Sequence, residues 1–347
     1  MCADYHIHTH RSPDSPDSPV LKLMGLIADG LEIAIRSDHE WVNDFQPLIE
    51  SMGLTEHAFG ISGEELTTFA WGHFGVFPLS EDRSQVNSGA VPWIGSLPPA
   101  VFDAARARPE QPAFIINHPR SGGVLGGYFA AAGLDNATGM VSRPEYWDED
   151  FTLVEVFNDG DFERFRADVV ADWFSLLNSG RRVFAVGSSD SHGIYGSPVG
   201  YPRTCLALGT DDPRDLTPNM VRDVTGAGHS TISGGLYLSV VGPGGAGPGD
   251  DVTGAGETAT FEITVQAACW IRATQLEVIV DGVTTETIPI PTPSACEVVR
   301  LDAASISVPV AAAGSWVVFH ASGDMDLSPV HPGRMPFAVS NPVFLSR

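Results

Sequence analysis

Histidine and carboxylate residues stand in this chain at spacings that suit a divalent metal ion. Near the start, His6 and His8 are separated by one residue in a strand-like run. Because side chains alternate along a strand, both imidazoles project to the same side and can share a metal ion. Asp14 follows in the next loop as a candidate ligand. Asp17 is a near-equal alternative in the same loop, where a turn-forming role also explains an aspartate.

A second strand-like run, residues 33–36, leads directly into Asp38 and His39. Neither side chain is stable in an apolar core without polar partners, so packing alone explains this placement poorly. We predict that His39 is a metal ligand. Asp38 is predicted to orient a ligand or to accept a proton during catalysis.

A third run, residues 59–63, ends at Glu64 and Glu65, and the run after it begins at His73. One of the two glutamates should face the same space as the histidines and could bridge two cations. Alternation along the strand does not decide between them. His73 alone would be unremarkable.

Two later strand-like runs are also followed by residues that can bind a metal ion. His118 follows the apolar run 114–116, and Asp190 and His192 follow the run 183–186. One carboxylate and one imidazole at positions i and i+2 form a donor pair that suits zinc, manganese or iron. Six of the 11 histidines fall at such strand ends. The pattern therefore predicts a metal site.

Short β-branched runs alternate with helical patterns over residues 1 to about 230 and would position these side chains. The predicted strands are 4–8, 32–37, 59–63, 73–77, 113–117, 152–157, 182–187 and 204–208. The predicted helices are 21–29, 98–107, 162–178 and 212–226. About seven βα units favour a barrel over an open sheet. In barrel enzymes the active site lies at the carboxyl ends of the strands.

Beyond Gly234 and Gly235 the pattern changes to short strands separated by Gly and Pro. The predicted strands are 236–241, 258–266, 275–280, 284–290, 296–301, 315–321 and 337–344. This pattern predicts a small antiparallel β-sandwich. The sequence thus predicts two domains, residues 1–234 and residues 235–347.

The charge balance is strongly acidic, with 43 Asp and Glu against 19 Lys and Arg and a formal net charge of −24. Such a surface repels nucleic acid phosphates and anionic membranes. We therefore expect a small-molecule substrate and neither nucleic acid nor a membrane as partner.

The four cysteines show no metal-binding or redox spacing. They are either buried small residues or two disulfides, Cys269 with Cys296 and Cys2 with Cys205. Disulfides would favour an exported protein over a cytoplasmic one. The first strand begins within a few residues of Met1, which leaves no room for a signal peptide, so a leader would have been trimmed.

Six short pieces of the chain, in this order, resemble the polymerase-and-histidinol-phosphatase (PHP) superfamily. They are His6-Ile7-His8-Thr9 with a following Asp, Ser37-Asp38-His39, Gly63-Glu64-Glu65, Gly72-His73, Asn117-His118-Pro119 and Ser189-Asp190-Ser191-His192-Gly193. The resemblance covers residues 1 to about 230. It implies an α/β fold, a distorted (β/α)7 barrel that holds two or three divalent metal ions, either Zn, Mn or Fe.

The same resemblance implies a ligand set. The matching residues are His6, His8, Asp14, His39, Glu65, His73, His118, Asp190 and His192. The family's GxE spacing selects Glu65 over Glu64. The β-rich tail, with Trp270 and the closing segment 336–343, is similar to that of the carbaryl-hydrolase-like (CehA/McbA) branch. That branch implies hydrolysis of a carbamate, ester or amide instead of, or beside, a phosphate ester. The serine-rich loop 12–18, with its two aspartates, departs from the pattern.

We expect a metal-dependent hydrolase in which a metal-bound hydroxide attacks phosphorus or a carbonyl carbon. Asp38, His192 and Arg120 are the candidate catalytic residues. A phosphoester substrate requires cations, for which Arg120 is the best candidate and Arg11 and Arg203 are others. A carbamate or ester requires an apolar pocket, for which the candidates are Trp71, Tyr128, Phe129, Tyr146, Trp147 and Tyr195. The alternative is a catalytically weak metal-containing binding protein with the β-domain as recognition module.

Overall fold

The computed structural model describes residues 1–293 and 295–347. Its seven α-helices are α1 (Pro19–Ala28), α2 (Gln46–Ser51), α3 (Pro98–Arg106), α4 (Tyr128–Ala132), α5 (Phe162–Phe165), α6 (Val169–Asn178) and α7 (Pro218–Gly226). The strands up to Gly234 are β1 (Cys2–Asp4), β2 (Ile33–Arg36), β3 (Phe59–Ser62), β4 (Glu64–Thr67), β5 (His73–Phe77), β6 (Ala113–Asn117), β7 (Leu134–Asp135), β8 (Met140–Val141), β9 (Leu153–Asn158), β10 (Phe184–Ser188), β11 (Arg203–Leu206) and β12 (Ser230–Gly234). The later strands are β13 (Leu236–Val241), β14 (Asp251–Val252), β15 (Thr258–Ala267), β16 (Gln275–Val280), β17 (Val283–Pro289), β18 (Val299–Pro309), β19 (Ser315–Ser322), β20 (Phe337–Ser340) and β21 (Val343–Leu345).

Local signals in the sequence set several of these boundaries. Ser18 and Thr217 cap α1 and α7 by accepting a hydrogen bond from a backbone N–H of the first turn, and a proline follows each cap. The predicted strands 73–77 and 113–117 are confirmed as β5 and β6. The predicted helix 162–178 is divided into α5 and α6.

The strands form several sheets in a mixed α/β fold. The largest sheet has eleven strands, with the order β14-β21-β19-β20-β12-β11-β1-β2-β3, and β16 and β17 branch from β19. A second sheet has the order β10-β9-β6-β5-β4. Strands β13, β15 and β18 form a third sheet, and β7 pairs with β8.

The described residues do not show the predicted (β/α)7 barrel, because their strands are divided between separate sheets. Strands β1, β2 and β3 are parallel, but β4, β5 and β6 pair antiparallel to one another in the other sheet. Gly63 separates β3 from β4. A Cβ at Gly63 would lie 2.9 Å from the carbonyl oxygen of Val76, which is too close. Glycine therefore fits at the point where the chain crosses from one sheet to the other.

Strands from the C-terminal third continue the first sheet, because β20 pairs with β12. β10 is an edge strand, and the buried side chain of Asn341 supplies hydrogen bonds to it. This side chain accepts from the backbone N–H of Ala185 at 2.7 Å and donates to the carbonyl of the same residue at 3.0 Å. Ala185 lies in β10, which leads to Asp190. The division between residues 234 and 235 stays a prediction.

The four cysteines form two disulfides, Cys2 with Cys205 and Cys269 with Cys296, which is the second of the two alternatives that the sequence left open. The first disulfide joins directly opposed residues of β1 and β11. Among the helices of the described ranges, none combines the length and the apolar character needed to cross a membrane.

Candidate metal centre

The two large sheets meet at the ends of the strands that carry the predicted ligands. Isolated backbone bridges join Ile7 to Ser191 and His39 to Glu65 across this junction. The carboxyl ends of β1, β2, β3, β6 and β10 therefore deliver the residues that follow them to one place. His73, at the start of β5, reaches the same place because β5 runs antiparallel to β4 and β6.

Glu65 lies at the centre of this cluster and is fully buried. Its Oε1 atom is 3.0 Å from His6 Nε2, 3.1 Å from His118 Nε2 and 3.4 Å from His73 Nδ1. Its Oε2 atom is 2.8 Å from His39 Nδ1 and 3.6 Å from His8 Nε2. Each carboxylate oxygen thus faces its own group of imidazoles, the arrangement expected of a carboxylate that bridges two cations.

The other two predicted carboxylates complete the cluster. Asp190 Oδ1 lies 3.2 Å from His6 Nε2 and 3.3 Å from His8 Nε2. Asp14 Oδ2 lies 3.1 Å from His39 Nε2 and 3.3 Å from His192 Nε2. The structure therefore brings all nine predicted ligands together, with Asp14 at the exposed end of the cluster.

Four buried polar atoms of the cluster have no hydrogen-bond partner among the described residues. They are His6 Nε2, His8 Nε2, His73 Nδ1 and Asp190 Oδ1. Carboxylate oxygens lie near these nitrogens, but not in hydrogen-bonding geometry. Unpartnered buried polar atoms are costly, and several that converge fit a shared ion. The groups that could hold one include His6 with His8 and Asp190, and Glu65 with His73 and His118.

The electrostatics of the cluster also suit cations. Burial alone would raise the pKa of the Glu65 carboxyl, but His6 and His73 hold it well below its usual range. Burial lowers the pKa of His8 to about 4, so its ring is neutral and keeps a free lone pair. Burial opposes protonation of His6, yet Asp190 and Glu65 raise its pKa well above the usual value. The carboxylates therefore attract positive charge into the centre.

Two residues of the cluster have a left-handed backbone, which non-glycine residues seldom adopt. His118 has a φ of 24° and Asp190 a φ of 50°. Such conformations cost free energy and concentrate at functional sites, where the surrounding structure holds them. His118 directly follows β6, and Asp190 follows β10 after one further residue.

Glu155 is a buried residue of this centre that the sequence analysis missed. Its Oε1 atom is 2.9 Å from His6 Nδ1, and its Oε2 atom accepts from the backbone N–H of His118 at 2.8 Å and from Asn158 Nδ2 at 3.0 Å. It thus fixes the orientation of two predicted ligands. An acidic residue inside the apolar run 152–157 was the signal that could have revealed it.

Replacement of Glu155 by glutamine is expected to weaken divalent metal binding by about 10- to 100-fold, the usual effect of removing a carboxylate that orients a ligating histidine. Metal titration followed by calorimetry measures this. Glu149→Gln, at an exposed position, is the matched control. Equal affinities in the two variants would mean that Glu155 does not orient the ligands.

Asp38 lies beneath the centre and is completely buried. Its carboxylate accepts from the N–H and hydroxyl of Thr9 at 2.6 and 2.7 Å, from Ser12 Oγ at 2.9 Å and from Arg36 Nε at 2.9 Å. Burial opposes ionisation, but Arg36 and these donors lower its pKa. Ser12 Oγ in turn lies 2.9 Å from His8 Nδ1. These contacts give Asp38 the geometry of an orienting residue; its catalytic role stays a prediction.

The predicted substrate-binding cations have other partners. Arg120 donates to Asp172 of α6 at 2.7 Å and to the carbonyl of Leu134 at 2.8 Å. Arg203 pairs with Asp29. Arg11 is exposed and stacks over Trp41, with 4.8 Å between its guanidinium carbon and the ring centroid. Of the three, Arg11 is the one whose guanidinium lies at the surface beside the loop that carries Asp14.

The predicted aromatic lining is divided between the core and the surface. Tyr128 and Phe129 are fully buried and pack with Trp147. Trp71 and Tyr146 contact one another, with ring centroids 4.5 Å apart. Tyr195 is 98% exposed. Tyr128 and Phe129 therefore stabilise the fold.

Glu64 faces away from the centre. It accepts a hydrogen bond from the backbone N–H of Val91 at 2.8 Å, and burial raises its pKa to about 8. Asp17, the alternative to Asp14, accepts from the backbone N–H of Ile194 at 2.7 Å and lies 3.7 Å from Lys22 Nζ. Both alternatives thus have structural partners outside the cluster.

No family model matches this chain, and no curated protein matches it. Among solved structures, the chain is similar to the novel lesion-specific endonuclease PfuEndoQ from Pyrococcus furiosus, with a TM-score of 0.43 and 15% sequence identity. The similarity covers 67% of this chain and 57% of the endonuclease, less than two thirds of that protein's length. A likeness at this level assigns neither an activity nor a substrate.

The expectation that nucleic acid is excluded as a partner conflicts with this similarity to an endonuclease, and it is withdrawn. It rested on the net charge of −24. Net charge is a sum over the whole surface, whereas binding depends on the local field, which bound divalent cations would change. Neither this similarity nor any family match supports the carbaryl-hydrolase-like branch.

Proposed function

We propose that the protein is a metal-dependent hydrolase of the PHP type, with two or three divalent ions, zinc, manganese or iron, held by the nine residues of the centre. The observation that carries the proposal is the position of Glu65, whose two oxygens face two groups of imidazoles. Imidazole nitrogens mixed with carboxylate oxygens are the donors that these metals prefer. The unpartnered buried atoms of His6, His8 and Asp190 support the same conclusion.

Divalent ions bound in such a centre would activate water for attack and stabilise negative charge that develops on the substrate. The protein contributes a rigid arrangement. Glu155 and the Asp38–Ser12 pair fix the rings of His6 and His8. Exposure increases from Glu65 towards Asp14 and His192, whose side chains are 52% and 30% exposed. A substrate would therefore approach from the side of Asp14 and His192.

The contacts of His192 favour a role as a metal ligand over a role as a proton donor. Its Nδ1 lies 2.9 Å from the carbonyl oxygen of Asp190, which can only accept, so Nδ1 carries the proton in this pair. In the neutral ring, Nε2 is then left with a free lone pair directed towards Asp14. The proton for the leaving group would then come from water or from another residue.

The proposed reaction is hydrolysis of a phosphoester or of a carbamate, ester or amide bond in a small molecule. Arg11 is the cation at the surface that could contact a phosphate group, since Arg120 and Arg203 are held by aspartates. Trp71 and Tyr146 form the aromatic pair that remains partly accessible for an apolar substrate. These features support the two substrate classes about equally.

A side-by-side assay tests the proposal. Metal content is measured first, and the metal-loaded protein is then given p-nitrophenyl phosphate, bis-p-nitrophenyl phosphate and an aryl N-methylcarbamate. We expect turnover of at least one substrate that chelation abolishes and added metal restores. Turnover of the carbamate alone would remove the phosphoesterase proposal. Metal binding without any turnover would favour a binding protein, and a lack of metal would contradict the whole proposal.

We also propose that the protein is exported. The two disulfides support this location, because disulfides persist in oxidising compartments and are rare in the cytosol. Thiol trapping in fractionated source cells tests it, and reduced cysteines in a cytosolic fraction would contradict it.

A further inference from the structure

The only lysine of the chain, Lys22, lies in α1 and is fully buried, although it is not one of the nine residues of the metal centre. We propose that Lys22 is a positioning residue that holds two of the metal ligands, Asp190 and His192, through Ser191. The inference rests on the proposed metal centre. It adds that the bound ions depend unequally on this lysine.

The orientation of Lys22 is the reverse of what the packing of α1 alone would favour. Lys22 is the only charged residue of this helix and is buried, whereas Val20, Leu21 and Met24 are between 41% and 48% exposed. An ammonium group is costly to bury without polar partners, and lysine is normally found at the surface. The buried position of Lys22 therefore has to be explained by the contacts of its ammonium group.

The ammonium group contacts the residue that lies between two predicted ligands. Lys22 Nζ donates to the carbonyl oxygen of Ser191 at 3.0 Å and to the hydroxyl oxygen of the same residue at 2.6 Å. The hydroxyl group donates in turn to the carbonyl oxygen of Ser197. A compact ammonium can donate to both oxygens of one residue from a single point. Because Ser191 is flanked by Asp190 and His192, these bonds restrict both ligands.

Ser191 also joins its loop to the segment that follows β1. Its carbonyl oxygen accepts from the backbone N–H of His8 at 3.0 Å, and its own N–H donates to the carbonyl oxygen of His6 at 3.1 Å. Lys22 and His8 therefore share one acceptor. The two segments that supply four of the predicted ligands are tied together at Ser191, and Lys22 is the side chain that holds this point from behind.

The charge of Lys22 is balanced by Asp17 of the serine-rich loop 12–18. Asp17 Oδ2 lies 3.7 Å from Lys22 Nζ and accepts from the backbone N–H of Ile194 at 2.7 Å. The same loop carries Asp14, the ligand at the exposed end of the centre. The ion pair thus helps to hold the serine-rich loop against the segment that follows the other exposed ligand.

The groups that could hold an ion depend unequally on these contacts. Two of them contain residues that flank Ser191 or form hydrogen bonds with it, namely His8 with His39 and His192, and His6 with His8 and Asp190. The group formed by Glu65, His73 and His118 contains no such residue. Loss of the ammonium group should therefore weaken binding at the first two groups and spare the third.

Zinc titration of the metal-free protein, followed by calorimetry, tests the inference. Lys22→Met keeps the length of the side chain but removes its donors, and binding of at least one ion should weaken by about 10- to 100-fold. At least one other ion should keep its affinity, an inequality that general destabilisation would not produce. Leu26→Met, a volume-conserving change of another buried residue of α1, is the matched control and should leave every affinity unchanged.

Circular dichroism verifies that Lys22→Met folds. Ser191→Ala keeps the inference testable if it does not, because it removes only the hydroxyl group and should weaken the same ion by about three- to tenfold. Unchanged affinities in the variant that folds, or an equal loss for every ion, would overturn the inference and leave the proposed function intact. A lack of zinc binding by the unmodified protein would overturn both.

Discussion

Glu65→Gln is expected to abolish tight binding of the divalent ions and to lower the rate of hydrolysis by about a thousandfold or more, equivalent to about 4 kcal/mol of lost transition-state stabilisation. Both oxygens of Glu65 face imidazoles. Glutamine would replace one of these oxygens by an N–H₂ group, which has no lone pair to offer a cation and would instead donate to the imidazoles. The change also removes the central negative charge that the cations neutralise. Metal content by elemental analysis and steady-state rates of the metal-loaded protein measure the two effects.

Glu64→Gln is the matched control, because it changes the neighbouring buried residue by the same substitution. Glu64 contacts Val91 rather than the imidazoles, and burial raises its pKa to about 8, so its carboxyl is already neutral at pH 7. Metal content and rates should be close to those of the unmodified protein. Similar losses in the two variants would show that the effect is general destabilisation. A metal-replete, active Glu65→Gln protein would refute the proposed centre.

Removal of the disulfide between Cys2 and Cys205 should destabilise the protein more than removal of the one between Cys269 and Cys296. The two disulfides close segments of very different length, with sequence separations of 203 and 27 residues. Loop-closure entropy predicts upper values of about 5 and about 3.5 kcal/mol for the free energy of unfolding. Urea denaturation of the Cys2→Ala/Cys205→Ala and Cys269→Ala/Cys296→Ala proteins measures the difference.

The first disulfide should also affect the metal centre, whereas the second should not. Cys2 and Cys205 are opposed residues of β1 and β11, and β1 leads directly to His6 and His8. Loss of the link would let the N-terminal strand open locally and withdraw two ligands. Metal affinity should fall only in the Cys2→Ala/Cys205→Ala protein. An unchanged affinity in that protein would mean that backbone pairing alone holds β1 in place.

Much of the candidate centre could be predicted from the sequence, because its signals are local. The spacing of His6 and His8 predicts that both imidazoles lie on one side of an extended segment. The spacing of Asp190 and His192 gave the same expectation, although the left-handed backbone of Asp190 departs from a strand. The apolar run that leads into Asp38 and His39 also indicates a functional site, because packing alone explains these two polar residues poorly. The structure brings the nine predicted residues together, and their role as ligands stays a prediction until metal is measured.

Other features depended on contacts between distant parts of the chain. Alternation along β4 did not distinguish Glu65 from Glu64, because the residues that each one contacts lie in other parts of the chain. Glu155 resembled any acidic residue near a strand until its contacts with His6 and His118 were seen. Arg120 lies close to His118 in sequence, but its ion pair with Asp172 depends on the position of α6.

The sequence by itself determined the types of side chain at the strand ends, the side to which His6 and His8 point, and most strand positions. Only the tertiary structure decided that the strands form separate sheets instead of a closed barrel, and that β20 extends the N-terminal sheet through β12. The physical reason is that side-chain periodicity reports which face of one segment is buried. It contains no information about which distant segment supplies the partner hydrogen bonds, and sheet order is set by those partners.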